Sequence, residues 1–190
     1  MNRKTLFITR SAIIAALYVV LTLISKAFGL DGSSAVQIRI SECLCVLPVY
    51  TAAAVPGVTV GCLIYNLFFG VSIFDTIFGT LATLIGVLCT YYIKFFRVNI
   101  RLAGIPTVIA NTLIIPPVLV FAIMGGDLSS MPYLMFTVAL GEVLSCCVLG
   151  TVLLLTLRGY RNMLFGYPAQ KQKKTADNIQ KETKDELKND

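Results

Sequence analysis

An arginine and a glutamate stand three residues apart in segment 37–42, QIRISE, immediately before the apolar run 43–50. Charge beside hydrocarbon costs free energy, so Arg39 and Glu42 indicate a function. A carboxylate accepts hydrogen bonds in pairs, which suits an amidine-like N–H/NH₂ edge or an ammonium group. The segment is therefore a candidate binding site, and other parts of the chain must complete it.

Four further polar residues interrupt apolar stretches of the chain: Asn66, Asp75, Asn111 and Glu142. Glu142 is the most informative, because a carboxylate at the bilayer centre costs about 2.5–3.5 kcal/mol on insertion scales. Structural roles remain alternatives for all of these residues, Glu142 included. Asp75 is suited to capping a helix, the two asparagines to interhelical hydrogen bonds, and the charges of segment 37–42 to an interfacial ion pair.

The composition is that of an integral membrane protein. Of 190 residues, 56% are hydrophobic and 14% charged, and the mean hydropathy is +0.80. The chain has no histidine, which excludes His metal sites, Ser/His triads and His proton relays. We interpret the six cysteines as small apolar residues. We expect no cofactor, no metal, no nucleic-acid partner and no enzymatic activity.

The apolar runs predict an all-α bundle of six transmembrane helices, at residues 8–28, 42–54, 57–70, 75–95, 103–124 and 131–157. One helix over 43–71 would be about 43 Å long, against a hydrocarbon core of about 30 Å. We therefore expect Pro56-Gly57 to divide that run into two spans. Pro116-Pro117 are expected to break the hydrogen-bond ladder of the fifth helix.

Basic residues cluster in segments 1–10, 94–101 and 158–161. The positive-inside rule puts these segments, and hence both termini, in the cytoplasm. Residues 1–160 then form the transmembrane domain, and residues 161–190 form a charged cytoplasmic tail predicted to be disordered. This topology places the six polar residues between the outer surface and the middle of the membrane, with Glu42 at the outer end of its helix and Glu142 near the midplane. We interpret them as a pocket open to the outside, with aromatic residues near its outer end that suit a flat ring: Tyr65, Phe68, Phe69 and Phe74.

Small residues follow one surface of the first helix near its cytoplasmic end: Ser11, Ala12, Ala15 and Ala16. Small residues let another helix approach closely inside a bilayer. The surface is predicted to dock a partner helix, and the alternative is packing within its own bundle.

Several motifs resemble the QueT family over about residues 8–160. They are QIRISE at 37–42, Leu47-Pro48, Pro56-Gly57, Asn66, DTIFGTLATL at 75–84 and Gly141-Glu142. Members are substrate-binding (S) components of energy-coupling factor (ECF) importers for queuosine precursors. The resemblance implies an S-component-like bundle in the bacterial cell membrane that captures a deazaguanine such as preQ1 or preQ0 from outside. It also implies a transmembrane T subunit and two ATPase subunits as partners, with the Ala12/Ala16 stripe docking on the T subunit.

Three other functions remain open. The chain is also compatible with an S component for another vitamin-like ligand. A proton-driven secondary transporter would use Glu142, but no internal repeat supports it. An intramembrane enzyme would use the buried carboxylates as acid and base, or Cys146 as a nucleophile, but no metal-binding pattern or partner base accompanies them.

Overall fold

The computed structural model describes residues 2–30, 38–70, 72–93, 102–122, 126, 128–160 and 164. The chain divides into two units, Met1–Leu157 and Arg158–Asp190. Apart from Leu164, the predicted charged tail 161–190 lies outside the described residues, as do Gln37 and the basic segment 94–101.

The described residues form helices joined by short connections. In chain order these are α1 (Arg3–Ala27), a 3-10 helix (Ile40–Val49), α2 (Ala54–Phe69), α3 (Ile73–Ile93), α4 (Ile105–Ala122), a 3-10 turn (Leu128–Ser130), α5 (Met131–Glu142), a π-helical segment (Val143–Leu149) and α6 (Gly150–Arg158). From α1 to α5, each α-helix packs on the next. The elements from Leu128 to Arg158 form one continuous helix of 31 residues.

Within the described residues, three helices are long and apolar enough to cross a membrane: Arg3–Ala27, Ile73–Ile93 and Leu128–Arg158. Shorter apolar helices accompany them, among them α2 with 16 residues. Large apolar side chains lie exposed along these helices, while carboxylates, amides and hydroxyls lie buried between them. This distribution is the reverse of that in a soluble protein, and it confirms the expected multi-pass membrane protein.

The second predicted span differs from the structure. Instead of an α-helix over 42–54, the chain forms a 3-10 helix, Ile40–Val49, in which residues 41–48 are all buried. It contacts α1, α2, α3 and the π segment. Two side chains of α1 bind its first turn: Ser25 Oγ accepts the Ile40 N–H at 2.9 Å, and Thr22 Oγ1 donates to Ser41 Oγ at 2.7 Å. Pro48 lacks an N–H, which disfavours an α-helix here.

One expectation about prolines is wrong. The break before α2 lies at residues 50–53, so that Pro56 stands in the first turn of α2. Proline is tolerated there because first-turn N–H groups have no intrahelical partner. The fifth predicted helix is a single helix, α4, that contains Pro116 and Pro117. Neighbouring groups in a membrane bundle can compensate the backbone bonds that these prolines remove.

The α1 and α2 helices meet through glycines. A Cβ at Gly57 would lie 2.8 Å from the Ser11 carbonyl oxygen, and one at Gly61 would lie 2.9 Å from the Ala15 carbonyl oxygen. Ala15 is buried against α2, whereas Ala12 and Ala16 are exposed. The small-residue surface of α1 is therefore divided between the interior and the exterior.

Candidate functional site

Glu42 of the 3-10 helix and Glu142 of α5 meet in the interior. They are 1% and 7% exposed. One ligand atom from each carboxylate, together with the Cys146 sulfur, lies within 4.8 Å of the others. Residues separated by 100 positions thus form one polar cluster. Glu42 lies in the first turn of the 3-10 helix, as the sequence predicted for the start of its helix, and Glu142 is the last residue of α5.

Protein donors hold both oxygens of Glu42. The Tyr18 hydroxyl of α1 donates to Oε1, and the Cys45 thiol donates to Oε2 at 2.9 Å. The Cys146 thiol also approaches the Glu42 carbonyl oxygen, at 3.3 Å. The Glu42 side chain is thus held by α1 and by its own 3-10 helix, while the π segment contacts its backbone.

Glu142 is held in the same way. Asn111 of α4 donates its Nδ2 to Oε1 at 2.8 Å, and the Cys146 thiol lies 3.4 Å from Oε2. The π-helical segment begins directly after Glu142 and carries Cys146. Such wide turns occur frequently at functional sites.

Asn66 and Asp75 form a second group, on α2 and α3, around Gly79. A Cβ at Gly79 would lie 3.2 Å from Asn66 Nδ2 and 3.6 Å from Asp75 Oδ1. Both side chains are buried, at 2% and 7% exposure. The Asn66 amide nitrogen donates to Cys62 Sγ at 3.4 Å. The glycine leaves the space between the two polar groups open.

Several buried acceptors lack a protein partner. They include the side-chain oxygens of Asn66, Asn111, Thr80 and Thr112. An unsatisfied buried polar atom costs about 1–3 kcal/mol. The Asn111 oxygen lies beside the Glu42–Glu142 pair, because the other end of the same amide binds Glu142. A bound molecule with N–H groups would satisfy such atoms.

Arg39 stands at the start of the 3-10 helix in an extended conformation and is partly buried. Its charge interacts with Glu142 and with Tyr18. The structure thus brings Arg39, Glu42, Asn111 and Glu142 into one region, with Asn66 and Asp75 in the neighbouring group.

The four aromatic residues predicted near the pocket do not share one environment. Tyr65 is buried and stacks on Phe69 with ring centroids 5.5 Å apart, whereas Phe68 is exposed. Phe74 instead lines an apolar groove of about 420 Å³ between α3 and α4. The other residues that line the groove are Phe78, Pro117, Val118 and Phe121.

The Glu42, Glu142 and Cys146 set has the donor types that a divalent cation such as Zn²⁺ accepts. However, all three side chains take part in hydrogen bonds with protein groups. In this arrangement the set is a hydrogen-bonded cluster.

Sequence reasoning missed Tyr18, Cys45 and Cys146. The two cysteines stand three and four residues after Glu42 and Glu142, so helical spacing places each on the side of its glutamate. That spacing was a usable signal. Tyr18 had none, because an aromatic residue in an apolar helix is ordinary.

The helices and their interior define a membrane protein built around a buried polar cluster. A family model described as QueT transporter matches residues 8–159. The chain therefore belongs to the QueT transporter family, a family of transporters. No curated protein and no solved structure matches it.

Proposed function

We propose that this protein is the substrate-binding S component of an ECF-type importer in the bacterial cell membrane. It captures a queuosine precursor, a deazaguanine such as preQ1 or preQ0, from outside the cell. A T subunit and two ATPase subunits complete the importer.

The observation that carries this proposal is the buried polar cluster contributed by α1–α5 and the 3-10 helix. A deazaguanine presents an N–H/NH₂ edge, which donates to carboxylates, and a ring carbonyl, which accepts from an amide or an arginine. The Glu42–Glu142 pair and the neighbouring Asn66–Asp75 group offer these partners in the interior of the bundle.

The orientation follows from charge. Basic residues in segments 1–10, 94–101 and 158–161 support cytoplasmic termini, which orient the bundle so that the Asn66–Asp75 end faces outside. A reporter fused after Asp190 and active only outside the cell would contradict this orientation.

The test has two stages. Mass spectrometry of molecules that co-purify with the protein should detect a deazaguanine, and calorimetry should then give saturable binding of preQ1 or preQ0. A folded protein that binds neither compound would refute the assignment.

Uptake separates the S component from a secondary transporter. Cells that express this protein with a T subunit and both ATPases should accumulate the precursor, and cells that lack the ATPases should not. Uptake without the ATPases would favour the proton-driven alternative.

A further inference from the structure

The buried side chains of the site offer many acceptors. The carboxylates of Glu42, Glu142 and Asp75 only accept hydrogen bonds when ionised. The amide oxygens of Asn66 and Asn111 are buried and have no protein partner. A ligand in this site therefore meets acceptors on several sides.

Several donors beside the two glutamates already have partners. The Tyr18 hydroxyl and the Cys45 thiol bind Glu42, and the Asn111 amide nitrogen and the Cys146 thiol bind Glu142. The Asn66 amide nitrogen donates one N–H to a cysteine sulfur. Each asparagine amide has a second N–H that can bind a ligand carbonyl, and the unpartnered hydroxyls of Thr80 and Thr112 can donate or accept. At the Glu42–Glu142 pair itself, the two carboxylates and the Asn111 oxygen are acceptors.

The charged side chains of the site lead to the same conclusion as its hydrogen-bonding groups. The Glu42 and Glu142 carboxylates have atoms within 4.8 Å of each other, where two like charges repel strongly in a medium of low dielectric constant. Arg39, three residues before Glu42 in the chain, supplies one positive charge for the two glutamates. Buried charges are stable when they are paired.

Resting on the proposed function, we propose that the site selects a positively charged ligand, and that Glu42 and Glu142 together hold its cationic group. The unpartnered Asn111 oxygen beside the pair supplies a further acceptor. Among deazaguanines, an aminomethyl arm meets this requirement, because its ammonium has three N–H donors. A nitrile arm accepts hydrogen bonds and leaves the two carboxylates without a counter-charge.

The test is calorimetry on the full-length protein in detergent, with EDTA present, using preQ1, preQ0 and the neutral 7-hydroxymethyl analogue of preQ1. The hydroxymethyl analogue keeps the size of the arm and removes its charge. We expect preQ1 to bind about 10- to 150-fold more tightly than either neutral compound, the range of a charge-assisted hydrogen bond.

Two isosteric variants identify the carboxylates. Glu42→Gln and Glu142→Gln should each lose most of the preference for preQ1, with less change in the affinity for preQ0. Asp75→Asn is the matched control, and it should leave the ratio of the two affinities unchanged. The ratio of preQ1 affinity to the affinity for each neutral compound, measured on the protein without substitutions, tests the charge selection even if a variant does not fold.

The outcomes separate the two proposals. Equal, saturable binding of all three compounds would overturn the charge selection and leave the deazaguanine function standing. Failure of the folded protein to bind any of them would overturn the proposed function. A preference for preQ1 that appears only when EDTA is omitted would mean that a bound metal ion causes the selection. A preference that is unchanged in both glutamine variants would mean that other residues cause it. Either result would overturn the role of the Glu42–Glu142 pair.

Discussion

Glu142 and Asp75 belong to different polar groups of the bundle; they are similarly buried but have different surroundings. Glu142 and Asp75 are both 7% exposed. Glu142 lies beside a second carboxylate and accepts hydrogen bonds from Asn111 and Cys146. Asp75 lies beside the open space over Gly79. Exposure alone therefore cannot rank their importance.

What separates the two groups is the neighbouring charge. Bringing two carboxylates together raises the free energy of the empty site, and a cation relieves that strain. Asp75 lies instead beside a neutral amide, that of Asn66, around Gly79. The Glu42–Glu142 pair is suited to hold charge, and the Asn66–Asp75 group is suited to orient a neutral edge.

The largest effect on ligand affinity is expected at the Glu42–Glu142 pair. Glu142→Gln should weaken preQ1 binding about 10- to 150-fold, because it removes a charge-assisted contact worth about 1.5–3 kcal/mol. The glutamine oxygen can keep the Asn111 hydrogen bond, so the fold should persist. Calorimetry gives the affinity and a melting curve checks folding.

Asp75→Asn is the comparison for that measurement, and its loss of preQ1 affinity should be smaller. Normal binding of preQ1 by a well-folded Glu142→Gln variant would show that the Glu42–Glu142 pair is not the ligand site. A larger loss at Asp75 would reverse the ranking of the two groups.

A smaller effect on ligand affinity is expected at the Asn66–Asp75 group. Gly79→Ala places a Cβ 3.2 Å from Asn66 Nδ2, which must move. Overpacking at the low end costs about 1 kcal/mol, so affinity should fall about fivefold. Gly159→Ala is the matched control, because a Cβ there meets nothing within 4 Å. Equal affinities for the two alanine variants would show that the space over Gly79 is not part of the site.

Tyr18→Phe should change stability more than binding. The variant removes the donor to Glu42 Oε1 and leaves a buried carboxylate oxygen short of a partner. The melting temperature of the empty protein should fall, since such a loss costs about 1–3 kcal/mol. Affinity for preQ1 should change less than about threefold, which is under 1 kcal/mol, because the ligand ammonium can take the vacated oxygen. An unchanged melting temperature with lost binding would instead make Tyr18 a ligand contact.

The sequence predicted a helical membrane bundle and named the polar residues that gather inside it. Polar residues in apolar runs are rare, so each one is informative by itself. The same reasoning failed for the 3-10 helix, because a short buried apolar run has no periodicity that separates one helix type from another. Pro48 was the available signal.

The cysteines illustrate a second limit. As small apolar residues they gave no reason to expect Cys45 and Cys146 beside the carboxylates, yet both thiols lie within hydrogen-bond distance of a glutamate. Their i+3 and i+4 spacing indicates which face they share, but it cannot tell that the face points inward. Only the packing of the other helices decides that.

The smallest effect on binding is expected on the outer face of α1, where Ala12 and Ala16 are exposed and Ala15 is buried. The double variant Ala12→Leu with Ala16→Leu adds volume outside the bundle, so melting temperature and preQ1 affinity should stay unchanged. If this face docks on a T subunit, uptake should be lost because the helices can no longer approach closely. Ala15→Leu is the control: it adds half that volume, but against Gly61, and should lower the melting temperature, since overpacking costs about 1–3 kcal/mol. Normal uptake by the double variant would rule out the docking role, and a melting temperature as low as that of Ala15→Leu would place Ala12 and Ala16 inside the bundle.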